Sequence, residues 1–321
     1  VVATGDLEDA ADALAERSVA ENTKRSYKSD WKSWEEFCCL HGFTPLPADP
    51  EHVRLYVTQL TNYAGRKGRK LKPKTAQRHL AAIAAAHRAQ EIGFDTRHPV
   101  LRRTMAGIRR TFGDRQEGAP ALRHGDIAAI CKTFRPDVSS VRDKAIILLG
   151  FAGGFRRSEL VALNVEDLYF DRHKDGLAVA VLRSKTDQDG KGRTVAILKG
   201  ANPLTCPVAA VKSWLRAAKI EGAGNSALFY PVNRWGAVEL NRLSDKAVDR
   251  IVKGACRAAG LKDKGYSAHS LRAGHVTEAL AGGADRSAVK RQTGHASDGM
   301  LDRYAREADL FSNNSSGTLG L

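Results

Sequence analysis

The chain has 321 residues, 42% of them hydrophobic, a length that suits two domains each able to bury its own core. Its net charge of +15 points to a polyanionic partner, because neutralising phosphates releases condensed counterions and drives association. A merely solvated basic surface is the plainer alternative. No run approaches the roughly 18–20 apolar residues of a membrane span. The opening VVATGDLEDAADALAE lacks the basic stretch of a secretory leader. The five cysteines (Cys38, Cys39, Cys131, Cys206, Cys256) show neither a CxxC nor metal-ligand spacing, as expected of a reduced, cytoplasmic protein.

Residues 1–20 read as a flexible or weakly helical arm. A helix capped by Asn22 or Thr23 follows, with Tyr27, Trp31, Trp34, Phe37 and Cys38 on one face and Gly42 as its stop. PLPADP separates it from a second helix that buries Val53, Leu55, Tyr56 and Leu60. GRKGRKLKPK is a basic loop. Thr75 to Gln90 is an alanine-rich helix with Leu80, Ile83 and Ala84 inward and Lys74, Arg78 and Arg88 outward. HPVLRRTMAGIRRTFG is a short helix bearing Arg102, Arg103, Arg109 and Arg110. From Arg54 to Arg115 there are 15 Lys or Arg against 3 acids, a density that favours phosphate contact over a solvated face. The expected DNA-binding residues are therefore Lys74, Arg78, Arg88, Arg102, Arg103, Arg109 and Arg110, within an all-helical domain spanning 21–112.

DRQEGAPAL has no apolar period, which places a linker at 113–122. The second domain, 123–321, opens with helices at Arg123–Phe134 and Ser140–Gly150. A third begins near Arg156 and buries Leu160, Val161 and Leu163. Two β-rich runs, Leu177–Leu182 and Arg193–Leu198, flank a polar turn and read as a hairpin. Further helices are expected at Pro207–Lys219, Leu243–Ala259, Ser270–Ala281, Ser287–Thr293 and Gly299–Ala308. The fold class is thus mainly α with a small β-sheet: an all-helical N-terminal domain and a mixed α/β C-terminal one. The tail SNNSSGTLGL reads as loose.

His269 and Arg272 in SAHSLRAGH, His295 in QTGHAS and Tyr304 in MLDRYARE are a set that can gather around one phosphate. The His and Arg groups can hold non-bridging oxygens while the phenol attacks phosphorus. Upstream, Arg156 lies in GGFRRSEL and Lys185 in RSKTD. Each alone reads as an ordinary core or surface residue. Arg157 competes with Arg156, and Lys191 competes with Lys185; His275 is left as structural.

In that order, the six residues resemble the tyrosine recombinases of the λ-integrase family. That pattern has an Arg in a G-[LF]-R-x-S-E-L string, a hairpin Lys, H-x-x-R, G-H and a Tyr nine residues later. WKSWEEFC followed by PADPEHVRLYVTQL resembles the helical core-binding domain of Cre-type members. The resemblance implies a C-shaped clamp on duplex DNA and a site-specific recombinase that works through a 3′-phosphotyrosyl intermediate and a Holliday junction, without metal, cofactor or ATP.

The same resemblance implies the residue roles. Tyr304 is the nucleophile, Arg156 and Arg272 clamp the phosphate, and Lys185 is the general acid. His269 accepts the tyrosine proton or supports the phosphate, and His295 donates a hydrogen bond to it. Glu159, three residues after Arg156, orients that guanidinium, and Arg157 is a DNA-backbone or surface residue. Four protomers acting on two inverted-repeat sites are implied, with AREADLFSNN packing into a neighbour through Leu310 and Phe311. The protein is expected to act at the nucleoid and away from membranes. A type IB topoisomerase and a catalytically idle DNA-binding regulator are the alternatives.

Overall fold

The computed structural model describes residues 5–7, 10, 21–63, 70–113, 118–170, 176–182, 192–261, 265–295, 297–299 and 301–302. The chain divides into two compact units, Val1–Glu117 and Gly118–Leu321. Among the described residues no helix is long and apolar enough to cross a membrane.

The first unit consists of α1 (Glu21–His41), α2 (Pro50–Asn62), α3 (Pro73–Ala89) and α4 (Pro99–Phe112). Proline opens three of these helices, where a missing N–H removes no intrahelical bond. Asp49 caps α2 by accepting from the Glu51 amide at 2.8 Å. The core is aromatic: the Tyr56 ring lies 5.2 Å from Trp34 and 5.1 Å from Phe37, centroid to centroid. Burying such rings is worth several kcal/mol each, of order 25 cal/mol per Å². In α2 the buried stripe is Val53, Tyr56 and Val57, with Leu60 partly buried. Leu55, expected inside, is instead exposed, because position 55 lies off the 53–56–57–60 face of a 3.6-residue period.

A buried polar chain crosses this core. Asp30, at 3% exposure, accepts from Arg78 Nε at 2.7 Å and Nη2 at 2.9 Å, so Arg78 ties α3 to α1. His79 Nε2 lies 3.3 Å from the same carboxylate, and its Nδ1 lies 2.9 Å from the Tyr56 hydroxyl. A neutral ring protonated at Nε2 satisfies both contacts, donating to Asp30 and accepting from Tyr56. Burial, set against Asp30 and joined by the Arg78 charge, holds His79 below its ordinary value, and burial pushes the Tyr56 phenol up.

In the second unit α5 (His124–Thr133) is followed by α6 (Val138–Gly153) and α7 (Arg157–Ala162). Residues 145–149 of α6 are buried on every side, so α6 is a central helix rather than an amphipathic one. Strands β1 (Leu168–Tyr169), β2 (Gly176–Val181) and β3 (Arg193–Leu198) form an antiparallel sheet in the order β1-β2-β3. The β2–β3 register places Val181 opposite Arg193, so β3 leaves the hairpin turn at Arg193. The two-residue β1 is too short to show the alternation that marks a strand in sequence.

Helices α8 (Pro207–Ala218), α9 (Asp245–Ala258), α10 (Ala268–Ala281) and α11 (Arg286–Thr293) complete the unit. Leu122, expected in the linker, is fully buried and its amide donates to Ser270 O at 3.1 Å. Its carbonyl lies where a Cβ on Gly274 would sit, at 1.9 Å. Only glycine permits α10 to approach so closely.

The Asp30 chain sets a pH response. The unfolded chain protonates His79 near ~6.5, whereas the folded chain resists until lower pH, so stability is full above that value and falls as pH drops below it. Thermal unfolding of the full chain between pH 8 and 5 should show this fall, and His79→Gln should make it shallower. Asp30→Ala should cost about 2–3 kcal/mol; an unchanged melting point would sink the argument.

Candidate active site

Two helices of the second unit end in glycine with positive φ, Gly154 after α6 (φ 60°) and Gly294 after α11 (φ 66°). Such ends leave carbonyls without intrahelical partners, and arginines supply the donors. Arg272, 1% exposed on α10, donates through Nη1 to Gly154 O at 2.8 Å and Thr293 O at 2.5 Å. Arg156, at the N-cap of α7, donates through Nη2 to Gly294 O at 3.2 Å. The structure thus brings Arg156, Arg272 and His295 together around the turn that ends α11.

Glycine is required at both turns. A Cβ on Gly154 would meet Thr293 Cγ2 at 2.8 Å and His275 Cδ2 at 3.0 Å. One on Gly294 would meet the Arg193 guanidinium at 2.9 Å. His275 fills the space beside Gly154, and burial pushes its imidazole down to about 4.

Glu159, 2% exposed, is the anion of the cluster. Its Oε1 accepts from Arg156 Nη1 at 2.7 Å and its Oε2 from the Arg156 amide at 2.8 Å. The same two oxygens accept from Arg193 Nη1 at 3.3 Å and Nη2 at 3.0 Å. Burial acts to raise the carboxyl's pKa, but the Arg193 bonds and the Arg193 and Arg156 charges outweigh it and hold Glu159 low and ionised.

The histidines follow from this field. His295 is 8% exposed, and its Nδ1 lies 2.6 Å from Thr293 Oγ1. The Thr293 hydroxyl already gives its hydrogen to Val289 O at 2.7 Å. The hydroxyl must therefore accept from His295, which fixes the Nδ1–H tautomer and makes Nε2 the basic nitrogen. Burial, then the charges of Arg272 and Arg156, push His295 down to about 3. His269, on the first turn of α10 with its side chain open to solvent, is also lowered, by partial desolvation and by Arg272, Arg156 and Arg157.

Arg157 turns away to Asp245, 3.2 Å from its Nε. In the first unit Lys74, Arg88, Arg102, Arg103, Arg109 and Arg110 are exposed, whereas Arg78 is engaged by Asp30. Lys185, Lys191, Tyr304, Leu310 and Phe311 lie outside the described residues, as do most of the arm, residues 64–69 of the basic loop and the end of the last expected helix. Sequence reasoning missed Arg193 and Thr293. Arg193 opens an ordinary strand, and its position directly after the hairpin turn was the one available signal.

Residues 120–310 match the phage integrase family. The chain is 36% identical over 305 residues to the integrase/recombinase xerD homolog of Selenomonas ruminantium, covering 93% of this chain and 85% of that protein. It is 23% identical over 310 residues to recombinase cre of Escherichia phage P1, covering 91% and 86%. The fold is similar to that of a lambda integrase (75–356) dimer bound to a COC′ core site, with TM-score 0.60 and 18% identity over 95% of each chain. The chain belongs to the tyrosine recombinases of the λ-integrase (phage integrase) family. It is a site-specific DNA recombinase by that membership.

Burial, reinforced by the charges of Arg272 and Arg156, favours neutral His295 in the DNA-free protein. Imidazole signals followed by NMR from pH 8 to 4.5 should show His295 unprotonated throughout, with the Nδ1–H tautomer. Titration near ~6.5, the ordinary histidine value, would contradict the geometry. The sign for stability follows: the unfolded His295 binds a proton below that pH and the folded one does not, so this group too lowers stability as pH falls.

Proposed function

We propose that the chain cuts and rejoins duplex DNA through Tyr304. The phenol oxygen attacks the scissile phosphorus, its proton passing to His269, and the P–O5′ bond breaks as Lys185 protonates the departing oxygen. A 3′-phosphotyrosyl ester and a free 5′-hydroxyl result. Because the ester keeps the phosphodiester's bond energy, the 5′-hydroxyl of a second strand reverses the step and joins new partners, passing through a Holliday junction without ATP. Arg156 and Arg272 hold the non-bridging oxygens, and their fixed charge stabilises the transition state without reorganisation at the moment of reaction. His295, neutral before DNA arrives, takes on donor character at Nε2 once an anionic phosphate offsets the arginine field.

The observation that carries this reading is the convergence of Arg156 and Arg272 on adjacent carbonyls, Gly294 and Thr293, beside His295. A merely structural arginine pair has no need to flank a buried histidine in the same turn. The exposed arginines of α4 and the Lys74 and Arg88 side chains of α3 suit sequence-independent grip on the DNA backbone by a domain spanning about residues 21–112. Assembly of four protomers on two inverted-repeat sites at the nucleoid, joined by the segment around Leu310 and Phe311, completes the proposal.

A pool of nicked random-sequence duplexes tests the chemistry. The unaltered protein should yield SDS-resistant protein–DNA adducts on a restricted set of sequences, and Tyr304→Phe none. Arg272→Lys should lower adduct formation about 10²–10³-fold, since a lysine cannot reproduce the planar fork. Adduct with plasmid relaxation but no exchange between two recovered sites would indicate a topoisomerase. Sequence-selective binding with no adduct from the unaltered protein would leave a DNA-binding regulator.

Salt dependence tests the grip. Arg103→Ala and Arg110→Ala should each weaken binding to the recovered duplex and to unrelated duplexes alike, and reduce the slope of log affinity against log salt by about 1. Arg78→Ala should instead lower the melting point, because it breaks the Asp30 pair.

A further inference from the structure

Two arginines share one buried carboxylate in the second unit, and only one of them belongs to the strand-transfer constellation. Arg193 reaches Glu159 with both terminal nitrogens, at 3.3 and 3.0 Å. Its Nε lies 3.4 Å from Gln292 O, in the last turn of α11, and its guanidinium lies against Gly294. It is largely buried, with 15% of its side chain exposed. Arg156 makes the parallel set of contacts, to Glu159 and to Gly294 O. Both arginines therefore bridge the same carboxylate to the same turn, one from the N-cap of α7 and the other from the first residue of β3.

The charge balance gives this doubling a purpose. A single Arg156–Glu159 pair would be fixed in place but neutral, and a neutral pair attracts a phosphate weakly. With Arg193 on the same carboxylate there are two cations against one anion, so the Glu159 cluster adds one positive charge to that of Arg272. A buried carboxylate with two guanidinium partners is also better satisfied than one with a single partner. Arg156, with five N–H donors, can then stay oriented by Glu159 and still present charge and donors to an incoming anion.

We infer that Arg193 is a positioning residue for strand transfer, acting through Glu159 to hold Arg156 and the Gly294–His295 turn in a phosphate-ready, net-cationic arrangement. The inference rests on the strand-transfer reading above. It also couples two parts of the site. Lys185 lies eight residues before Arg193 in the chain, so the strand that leaves the lysine-bearing segment begins with the residue that anchors Arg156.

A double-mutant cycle on the full chain tests it, using a nicked duplex recovered from the random-sequence pool. Arg193→Gln should slow adduct formation about 10²-fold while affinity for the same duplex stays within about 3-fold. Arg193→Lys, which restores the charge but not the fork, should recover about 10-fold of that loss. In a Glu159→Gln background, Arg193→Gln should cost no more than about 3-fold further, because residues acting as a unit are not additive. An equal loss in both backgrounds, or an unchanged rate in the single variant, overturns the inference. If Arg193→Gln unfolds at the assay temperature, Arg193→Lys in the same two backgrounds carries the cycle. No adduct from the unaltered protein removes the strand-transfer reading itself, a result distinct from an additive cycle.

Discussion

Guanidiniums buried against the carbonyl ends of two helices are the constraint on which the second unit depends. A helix leaves its last carbonyls without partners, and a buried arginine without acceptors is costly. Here each solves the other's difficulty: Arg272 takes Gly154 O and Thr293 O, and Arg156 takes Gly294 O. The negative end of each helix dipole adds to the attraction. These bonds hold the ends of α6 and α11 and the start of α7 in register, so assembly of the fold and placement of the charges are one event. A site built this way is preorganised by the fold, with Glu159, Arg193 and Thr293 as its supporting contacts.

The same arrangement governs protonation. Desolvation, and then the charges of Arg272 and Arg156, drive both His269 and His295 toward the neutral form. A charged imidazole would only add to repulsion that has one anion, Glu159, to offset it. The phosphodiester of the proposed reaction would bring the missing negative charge, so a pocket of this kind suits an anion. Thr293 contributes the remaining detail. Its hydroxyl, committed to Val289 O, leaves His295 no choice of tautomer.

Much of this was legible in the sequence, and the reasons differ by element. The apolar period of α1 and the β-rich runs around the hairpin reflect local burial, which period and propensity report directly. Arg156, Arg272 and His295 could be singled out because short strings surround them, although nothing local indicated that residues 118 and 138 positions apart share a pocket. Arg193 stayed hidden for a physical reason. At the first position of a strand a charged residue is ordinary, and only tertiary packing brings it to Glu159. Leu55 was misjudged for the converse reason. Hydrophobicity suggested burial while helix phase exposed it; Arg78 lies outward as its charge suggested, but no local signal showed that the buried Asp30 pairs with it.

On the strand-transfer proposal, basic residues in this chain have two separable tasks, and burial decides between them. The arginines on α4 remain solvated, with side chains free to follow a phosphate backbone of any sequence, so each contributes modestly and is screened by salt. Those around Gly154 and Gly294 have already lost their water and their rotamer freedom during folding. Their geometry is fixed before any ligand arrives, so the single phosphate of the proposed reaction would require little further ordering. A net charge of +15 alone describes only the first task. The second requires that desolvation be compensated atom by atom, which is why one carboxylate and a few helix-end carbonyls matter more to the pocket than the excess of lysine and arginine elsewhere.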